Sequence, residues 1–280
     1  MKFILTLLLA GITMSVFAQS APGTIPAVDS TALLQETATA PIANKPLSSY
    51  PKNVVKMNVS SLVLNSYNFY YERMLTRKIS ITGGFKTMPR TGLSSTTIGE
   101  KLVDQLDIDR DDQDDIDRLE ASSNAFTLGV RFYTGKRPGA KGFYAELYGR
   151  YTNLKAYYAY DYTSSSDKNY KFPIEVSTNG FGGGLLLGGQ FNIAKKVVVD
   201  LYIIGAHYGK LNGDANAITD LSSMTAQERQ DMQDDINDLA PSFNDKKMLQ
   251  VNVTESGVRG NVDGPFLGVR AAGLSIGWTF

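Results

Sequence analysis

The stretch FTLGVRFYT, residues 126–134, alternates strictly between two kinds of residue. The first set is Phe126, Leu128, Val130 and Phe132, and the second is Thr127, Gly129, Arg131 and Tyr133. Successive side chains of a β-strand point to opposite faces of the sheet. The spacing therefore predicts a strand with one wholly apolar face and one face that carries charge and glycine.

The same period of two recurs along the chain, for example in FYAELYGRY at 143–151 and VVVDLYIIG at 197–205. Eight such runs are predicted as strands: 53–63, 66–75, 78–88, 123–134, 141–158, 172–191, 196–209 and 264–280. Short connections at 76–78, 135–142 and 192–196 would meet at one end, and the tight turn at 65–66 and the longer loops 89–122, 159–171 and 210–263 at the other. Short turns at one end and longer loops at the other are typical of a transmembrane β-barrel.

The last ten residues, AAGLSIGWTF, place Ala272, Leu274, Ile276, Trp278 and Phe280 on one face. A terminal Phe after alternating apolar residues resembles the assembly signal of bacterial outer-membrane barrels. In this chain Trp278 and Phe280 would form that signal. Residues 52–280 resemble the small eight-stranded barrels of the OmpA/OmpX type. The stretch VKMNVSSLVLNSYNFYYERMLTRKISITGGF at 55–85 is more narrowly similar to the uncharacterised DUF3575-like barrels of Bacteroidota.

The resemblance implies an all-β protein, an eight-stranded antiparallel transmembrane β-barrel in the cell outer membrane. Its expected partners are outer-membrane lipid, lipopolysaccharide and the barrel-assembly machinery. The start of the chain agrees, because residues 1–18 have the charge, apolar core and small-residue end of a signal peptide. Residues 19–51 are rich in Pro, Ala, Ser and Thr and are expected to form a flexible leader.

Composition excludes several other classes. The chain has 28 basic and 28 acidic residues and no cysteine. Thiol catalysis and disulfides are therefore excluded, and no one-sided basic surface indicates nucleic-acid binding. No run approaches the roughly 18 apolar residues that a membrane-spanning helix needs.

If the apolar faces meet lipid, the opposite faces bring seven charged side chains into the lumen. They are Lys56, Glu72, Lys86, Arg131, Glu146, Arg150 and Asp200. Four cations and three anions in a narrow space should pair, because unpaired buried charge is costly. Eight strands also leave an interior just filled by side chains, so a closed lumen is predicted. An ion path, and hence a narrow channel, is the lower-ranked alternative.

His207 is the only histidine, and it falls near the outer end of the seventh predicted strand. Some barrels that resemble this one act on lipid A with a His, a Ser and sometimes a carboxylate near the outer rim. Ser177 and Asp263 would complete such an acyl-transfer or deacylase site with His207 as base. The alternative is a rim histidine at the level of the lipid headgroups.

Two further motifs have plain structural explanations. YYAYDY at 157–162 is expected to be an interfacial aromatic girdle or a strand pair above the membrane, with a carbohydrate platform as the alternative. GFGGGLLLGG at 180–189 lacks the Lys-Ser/Thr of a phosphate-binding loop and instead favours close strand packing.

Two predicted loops are acidic and share a motif: QDDID at 113–117 returns as QDDIN at 233–237. From Asp107 the spacing departs from an EF-hand, because Asp112 replaces the Gly and Arg118 takes position twelve. No metal or cofactor site is predicted, with weak divalent-cation binding as a minor alternative. Helices fit better, since Thr97–Glu100 and Thr225–Glu228 are capping boxes. The expected apolar stripes contain Ile116 and Leu119 in one helix and Ile236 and Leu239 in the other.

The two helices are expected to pack on the barrel mouth or on each other as a lid. The sequence as a whole predicts a non-enzymatic barrel with a structural role or a surface-interaction role. Its acidic loops would meet an extracellular protein or a glycan. The lipid A enzyme and the narrow channel are the alternatives.

Overall fold

A computed structural model describes residues 50–92, 95, 117–163, 168–239, 242–243, 246–270 and 272–280. The strands are β1 (Asn53–Asn58), β2 (Tyr67–Met74), β3 (Ile79–Gly92), β4 (Leu119–Tyr133), β5 (Gly142–Thr163), β6 (Asn169–Asn192), β7 (Val197–Ile218), β8 (Ser242–Phe243), β9 (Lys246–Lys247), β10 (Leu249–Thr254), β11 (Gly257–Arg270) and β12 (Gly273–Thr279). A 3-10 helix spans Ser60–Leu64, and helix α1 spans Ala226–Leu239. No helix within the described residues has the length and apolar character needed to cross a bilayer.

The strands form an antiparallel sheet whose pairings return to their start. Strands β1 to β7 pair in chain order, β7 pairs with β12, and β12 pairs with β1. β11 and β12 follow one another along β7, so in the described residues the ring has eight strand positions. Backbone bonds between Asn53 and Phe280, 3.0 Å in both directions, close the ring.

The ring has two different ends. The short-turn end holds the connections at 75–78, 134–141 and 193–196, where Leu75 and Ile193 begin tight turns. The long-loop end holds the 3-10 helix, α1 and the ends of the longest strands. The wall is uneven, since β1 and β2 have 6 and 8 residues whereas β5, β6 and β7 have 22, 24 and 22.

β1 is shorter than the predicted strand 53–63 because side-chain hydrogen bonds at Asn58, Ser60 and Ser61 replace the strand pairing beyond Asn58. The Asn58 Oδ1 atom accepts hydrogen bonds from Ser60 Oγ and from the Ser61 backbone N–H, at 2.7 and 3.0 Å. Ser61 Oγ donates to the carbonyl of Asn58. Such local bonds compete with a strand ladder and favour a turn, and the chain turns into the 3-10 helix here.

The predicted loops 89–122 and 210–263 are too long, because they include residues that belong to strands. β7 runs to Ile218, and β10 and β11 occupy much of 249–263, so the sheet continues beyond the predicted strands. Leu119, predicted on a loop helix, is instead the first residue of β4 and is buried. Ile116 and the first capping box, Thr97–Glu100, lie outside the described residues.

A β-bulge in β7 changes which residues face the interior. Tyr202 pairs with Gly188 and Ile204 with Leu187, so Ile203 is the extra residue. Ile203 and Ile204 are consecutive, and both are exposed. Asp200 points inward before the bulge and His207 after it, so the inward positions move from even to odd numbers.

The neighbouring strand breaks at the same level. Arg270 pairs with Gly205 and Gly273 with Tyr202, so the pairing with β7 is interrupted between Arg270 and Gly273, at the level of the bulge. Inward positions are even-numbered in β11, ending at Arg270, and odd-numbered in β12, starting at Gly273. Because both strands shift together, their faces remain matched.

Candidate functional site

The lumen contains a compact group of ion pairs, here called the ion-pair layer: Lys56, Glu72, Arg131, Glu146 and Asp200. These side chains come from β1, β2, β4, β5 and β7. All five residues are less than 5% exposed, so water barely reaches them. The lumen is therefore filled at this level.

Lys56 uses all three of its N–H donors in this layer. Its Nζ atom lies 2.7 Å from Glu72 Oε2, 2.6 Å from Asp200 Oδ2 and 2.7 Å from Gln190 Oε1. An ammonium has three donors and no acceptor, so its hydrogen-bonding capacity is fully used. Gln190 was absent from the predicted lumen set.

Arg131 joins the three carboxylates of the layer. Its Nε donates to Glu146 Oε2 at 2.6 Å, and its Nη1 lies 2.6 Å from Asp200 Oδ2 and 3.4 Å from Glu72 Oε2. Its guanidinium also lies over the ring of Tyr144, 4.1 Å from the centroid. Geometry of this quality is what allows charge to be buried in a narrow interior.

Hydroxyl groups also donate hydrogen bonds to the carboxylates of the ion-pair layer. Tyr133 and Ser80 donate to Glu72 Oε1 at 2.5 and 2.6 Å, and Tyr144 donates to Asp200 Oδ1 at 2.6 Å. Thr82 donates to Glu146 Oε1 at 2.8 Å. Gly129 leaves room for that carboxylate, since a methyl group there would lie 2.4 Å from Glu146 Oε1.

The other two predicted lumen cations do not join this layer. Lys86 and Arg150 lie nearer the long-loop end with Arg270, and these three residues are here called the cation layer. Within the described residues no carboxylate comes within 4.0 Å of any of the three. Arg270 was missed from the sequence because the inward positions change from even to odd numbers between Arg270 and Gly273.

The three residues proposed for lipid A chemistry do not come together, and this prediction is wrong. His207 points into the lumen, where its Nδ1 lies 3.2 Å from the Tyr148 hydroxyl. Ser177 pairs with Asp214, seven positions along β7 from His207, and Asp263 pairs with Asn212, five positions away. Asp263 is exposed and forms an ion pair with Lys210. The bulge at Ile203 turned His207 to the opposite side of the wall.

The tyrosine motif at 157–162 is divided between two faces. Tyr158 is buried in an apolar core with Leu119, Val176 and Phe266. Tyr157, the preceding residue, lies under the Arg90 guanidinium, whose Cζ is 3.9 Å from the ring centroid. The motif belongs to the strand pair β5–β6 above the ion-pair layer and does not form one continuous carbohydrate platform.

Helix α1 is attached to the outer part of the sheet at the long-loop end. The second capping box is confirmed, because the Thr225 N–H donates to Glu228 Oε2 at 2.9 Å and the Glu228 N–H to Thr225 Oγ1 at 3.2 Å. Ile236 is half-buried against two apolar cores that include Phe172, Leu211 and Met232. Leu239 is the last residue of the helix.

The QDDIN motif caps the edge of a strand. Within the described part of the chain β10 pairs with β11 on one side only, and on the other side α1 supplies side-chain acceptors. The Val251 N–H donates to Asn237 Oδ1 and the Val253 N–H to Gln233 Oε1, each at 3.0 Å. The Gln and Asn of the motif thus satisfy two backbone groups that a neighbouring strand would otherwise bond.

The acidic side of α1 points outward and toward the end of β5. Asp231, Asp234, Asp235 and Asp238 are all exposed. Partial burial raises the pKa of Tyr162, and the negative charges of Asp235, Asp231 and Glu228 raise it further. This part of the surface therefore carries a negative field.

Replacing both Gln233 and Asn237 with Ala should loosen β10 without unfolding the ring. Two backbone N–H groups would lose their acceptors, which costs about 1–3 kcal/mol for each unsatisfied group. Hydrogen exchange followed by mass spectrometry should show faster exchange in residues 249–254. Gln230→Ala is the matched control, because among the described residues the Gln230 side chain bonds only Asp234, on the exposed surface of the helix. Equal exchange in both variants would show that the cap does not stabilise the strand.

Comparison with known proteins adds little. No protein-family model and no curated protein matches the chain, so membership of the DUF3575-like group and the OmpA-type resemblance stay predictions. Among solved structures, the crystal structure of Acinetobacter baumannii CarO is similar, with 10% identity and a TM-score of 0.35. The match covers 82% of this chain and 98% of that chain. This similarity is too weak to bear on function.

Proposed function

We propose that the chain is a non-enzymatic β-barrel of the bacterial outer membrane, with a closed lumen and a surface formed by α1 and the outer strands. The observation that carries the proposal is the inversion of polarity across the wall. Lys56, Glu72, Arg131, Glu146 and Asp200 are buried inside the ring, whereas most outward positions of the same strands carry apolar side chains that are exposed. A water-soluble protein has the opposite arrangement.

The apolar outer surface is continuous over several strands. Phe69, Phe85, Phe126, Tyr151 and Phe181 occupy one row of directly paired positions from β2 to β6, and all five are exposed. Soluble monomers rarely expose contiguous apolar patches larger than a few hundred Å². Lipid accounts for such a surface, and a closed ring leaves no unpaired strand edge within the bilayer.

The filled lumen supports a structural or interaction role rather than transport. An ion path through the ring would have to pass the ion-pair layer, whose side chains water barely reaches. The long-loop end is the part available to partners, because the acidic face of α1 is exposed there. An extracellular protein, a glycan, or lipopolysaccharide headgroups bridged by divalent cations would fit a negative surface. Trp278 and Phe280 lie exposed on the outward face, where the barrel-assembly machinery could reach them.

Cysteine labelling tests the orientation, since the native chain has no cysteine. Asp234→Cys lies on α1 and Lys195→Cys at the short-turn end, and both native residues are exposed. On intact cells, a membrane-impermeant maleimide should label Asp234→Cys and leave Lys195→Cys unlabelled until the outer membrane is permeabilised. The proposal would be wrong if both sites reacted equally before permeabilisation.

Conductance tests the closed lumen separately. The purified full-length protein, reconstituted in planar bilayers, should carry no sustained current because the ion-pair layer fills the ring. A reproducible single-channel current from pure protein would favour the channel instead.

A further inference from the structure

The cation layer has hydrogen-bond donors that no protein group uses. Among the described residues the Lys86 side chain has no hydrogen bond, and the Arg150 side chain uses only its Nε, which donates to Thr152 Oγ1 at 3.2 Å. The Tyr70 hydroxyl accepts from Asn68 Nδ2 at 3.1 Å and from Arg270 Nη2 at 2.8 Å, which leaves its own proton to donate. Lys, Arg and a hydroxyl with both acceptor sites filled can only donate.

Charge in the lumen is also out of balance at this level. The inward positions of the described strands carry five cations and three carboxylates, and all three carboxylates belong to the ion-pair layer. The positive charges of Arg150 and Arg270 act on Lys86 and on each other. Two positive charges are therefore left without a protein counter-charge, and the whole excess lies in the cation layer.

His207 borders the same space. Its Nε2 atom is buried and has no hydrogen-bond partner among the described residues. The imidazole packs 4.6 Å from the Phe266 ring centroid and close to Gly268, where a methyl group would lie 2.2 Å from His207 Cε1. Tyr148 connects His207 to Arg270, whose guanidinium lies 5.4 Å from the Tyr148 ring centroid.

Solvent reaches this layer from the long-loop end. Lys86 and Arg150 point inward yet are half-buried, unlike the ion-pair layer below them. The wall ends soon above them on the β2 side, since Lys86 pairs with Asn68, the second residue of β2. Arg270 itself is buried and is held in place by Tyr70.

We propose that the cation layer binds a divalent oxyanion of the phosphate class, held by Lys86, Arg150 and Arg270 with the Tyr70 hydroxyl. Two guanidinium groups and an ammonium match the oxygens of phosphate in charge and in donor geometry. An anion of charge −2 removes the excess positive charge of the lumen. The ion-pair layer forms the floor of the site, so the ligand enters and leaves on the long-loop side.

The single histidine provides a direct probe of this site. We would refold the full-length protein with ¹³C-labelled histidine in detergent micelles and titrate it with inorganic phosphate, replacing chloride so that ionic strength stays constant. The Cε1–Hε1 signal of His207 should shift and saturate at one phosphate per chain. A shift that depends only on total salt would show an adventitious ion only, and it would overturn the proposal.

Variants test the ligands. Lys86→Gln and Arg150→Gln should each weaken phosphate binding about tenfold or more, because each loses a charge-assisted hydrogen bond. Lys155→Gln is the matched control, since Lys155 lies on the outward face of β5 and bonds Glu175 at 3.3 Å. Equal binding by all four proteins would contradict the site.

A measurement on the unaltered protein covers the case in which a variant does not fold. Phosphate that binds only the folded ring must raise its stability by mass action. The urea midpoint of the native chain should rise with phosphate concentration and stay constant with an equal ionic strength of chloride. A midpoint independent of phosphate would overturn the proposal. Because this assay uses micelles, its failure is separate from failure of the labelling and conductance tests.

Discussion

Replacing Arg131 with Met should lower the free energy of unfolding by about 3–5 kcal/mol, because it breaks a buried ion-pair group by removing one partner. Glu146 and Asp200 would each lose a hydrogen bond of 2.6 Å, and Lys56 would be the only cation left for three carboxylates. Urea unfolding in micelles, followed by the fluorescence of the single tryptophan, Trp278, measures the loss.

Arg150→Met is the matched control for this substitution. Arg150 also points into the lumen, but within the described residues it pairs with no carboxylate and lies close to Arg270. In phosphate-free buffer its removal relieves repulsion, so stability should stay within about 1 kcal/mol of the native value or rise. Equal destabilisation by the two variants would mean that the ion pairs of Arg131 contribute nothing beyond the volume of the side chain.

Leu128→Arg should destabilise the protein in lipid vesicles by about 2–4 kcal/mol, the cost of a cation at the lipid-facing centre of a barrel wall. Leu128 is 73% exposed and lies between Phe126 and Val130 on the outward face of β4. In a water-soluble protein the same change would stay within about 0.5 kcal/mol, because exposed positions tolerate charge. Unfolding of vesicle-inserted protein in urea distinguishes the two.

Ile218→Arg is the control for position along the wall. Ile218 is 81% exposed, more than Leu128, but it is the last residue of β7 at the long-loop end, ten positions beyond Tyr208, which lies in the same row of paired positions as Leu128. Outside the lipid its substitution should leave stability unchanged. If Leu128→Arg were as harmless as Ile218→Arg, the membrane assignment of the outer surface would fail.

Sequence alone located the strands because the period of two survives wherever one face is apolar. Arg131 and Glu146 could be assigned to the lumen in this way, since the strands around them are regular and keep one parity. The cost of buried charge correctly predicted that Lys56 and Arg131 pair with carboxylates, but it also predicted pairs for Lys86 and Arg150, which have no carboxylate within 4.0 Å among the described residues. The order of the charges in the lumen did not follow from the sequence, because register between strands depends on turns and bulges that a single strand does not reveal.

The predictions from sequence were wrong where the inward positions change between odd and even residue numbers, or where the local composition fits both a helix and a strand. His207 was expected at the outer rim and Arg270 was left out of the lumen set, because the bulge at Ile203 and the break in pairing between Arg270 and Gly273 move the inward positions by one. Leu119 follows an acidic run with helical spacing, yet contacts with Tyr158 and Val176 hold it in a strand. Tertiary packing here outweighs the local pattern.

The side-chain cap on β10 also limits how another molecule can be recognised at this surface. An exposed sheet edge can accept an extended peptide as an additional strand, with affinity that comes from backbone hydrogen bonds. Gln233 and Asn237 already occupy the Val251 and Val253 donors along that edge. A partner arriving at α1 must therefore be selected by its side chains, and a second copy of the chain cannot extend the sheet at β10 without first displacing the helix.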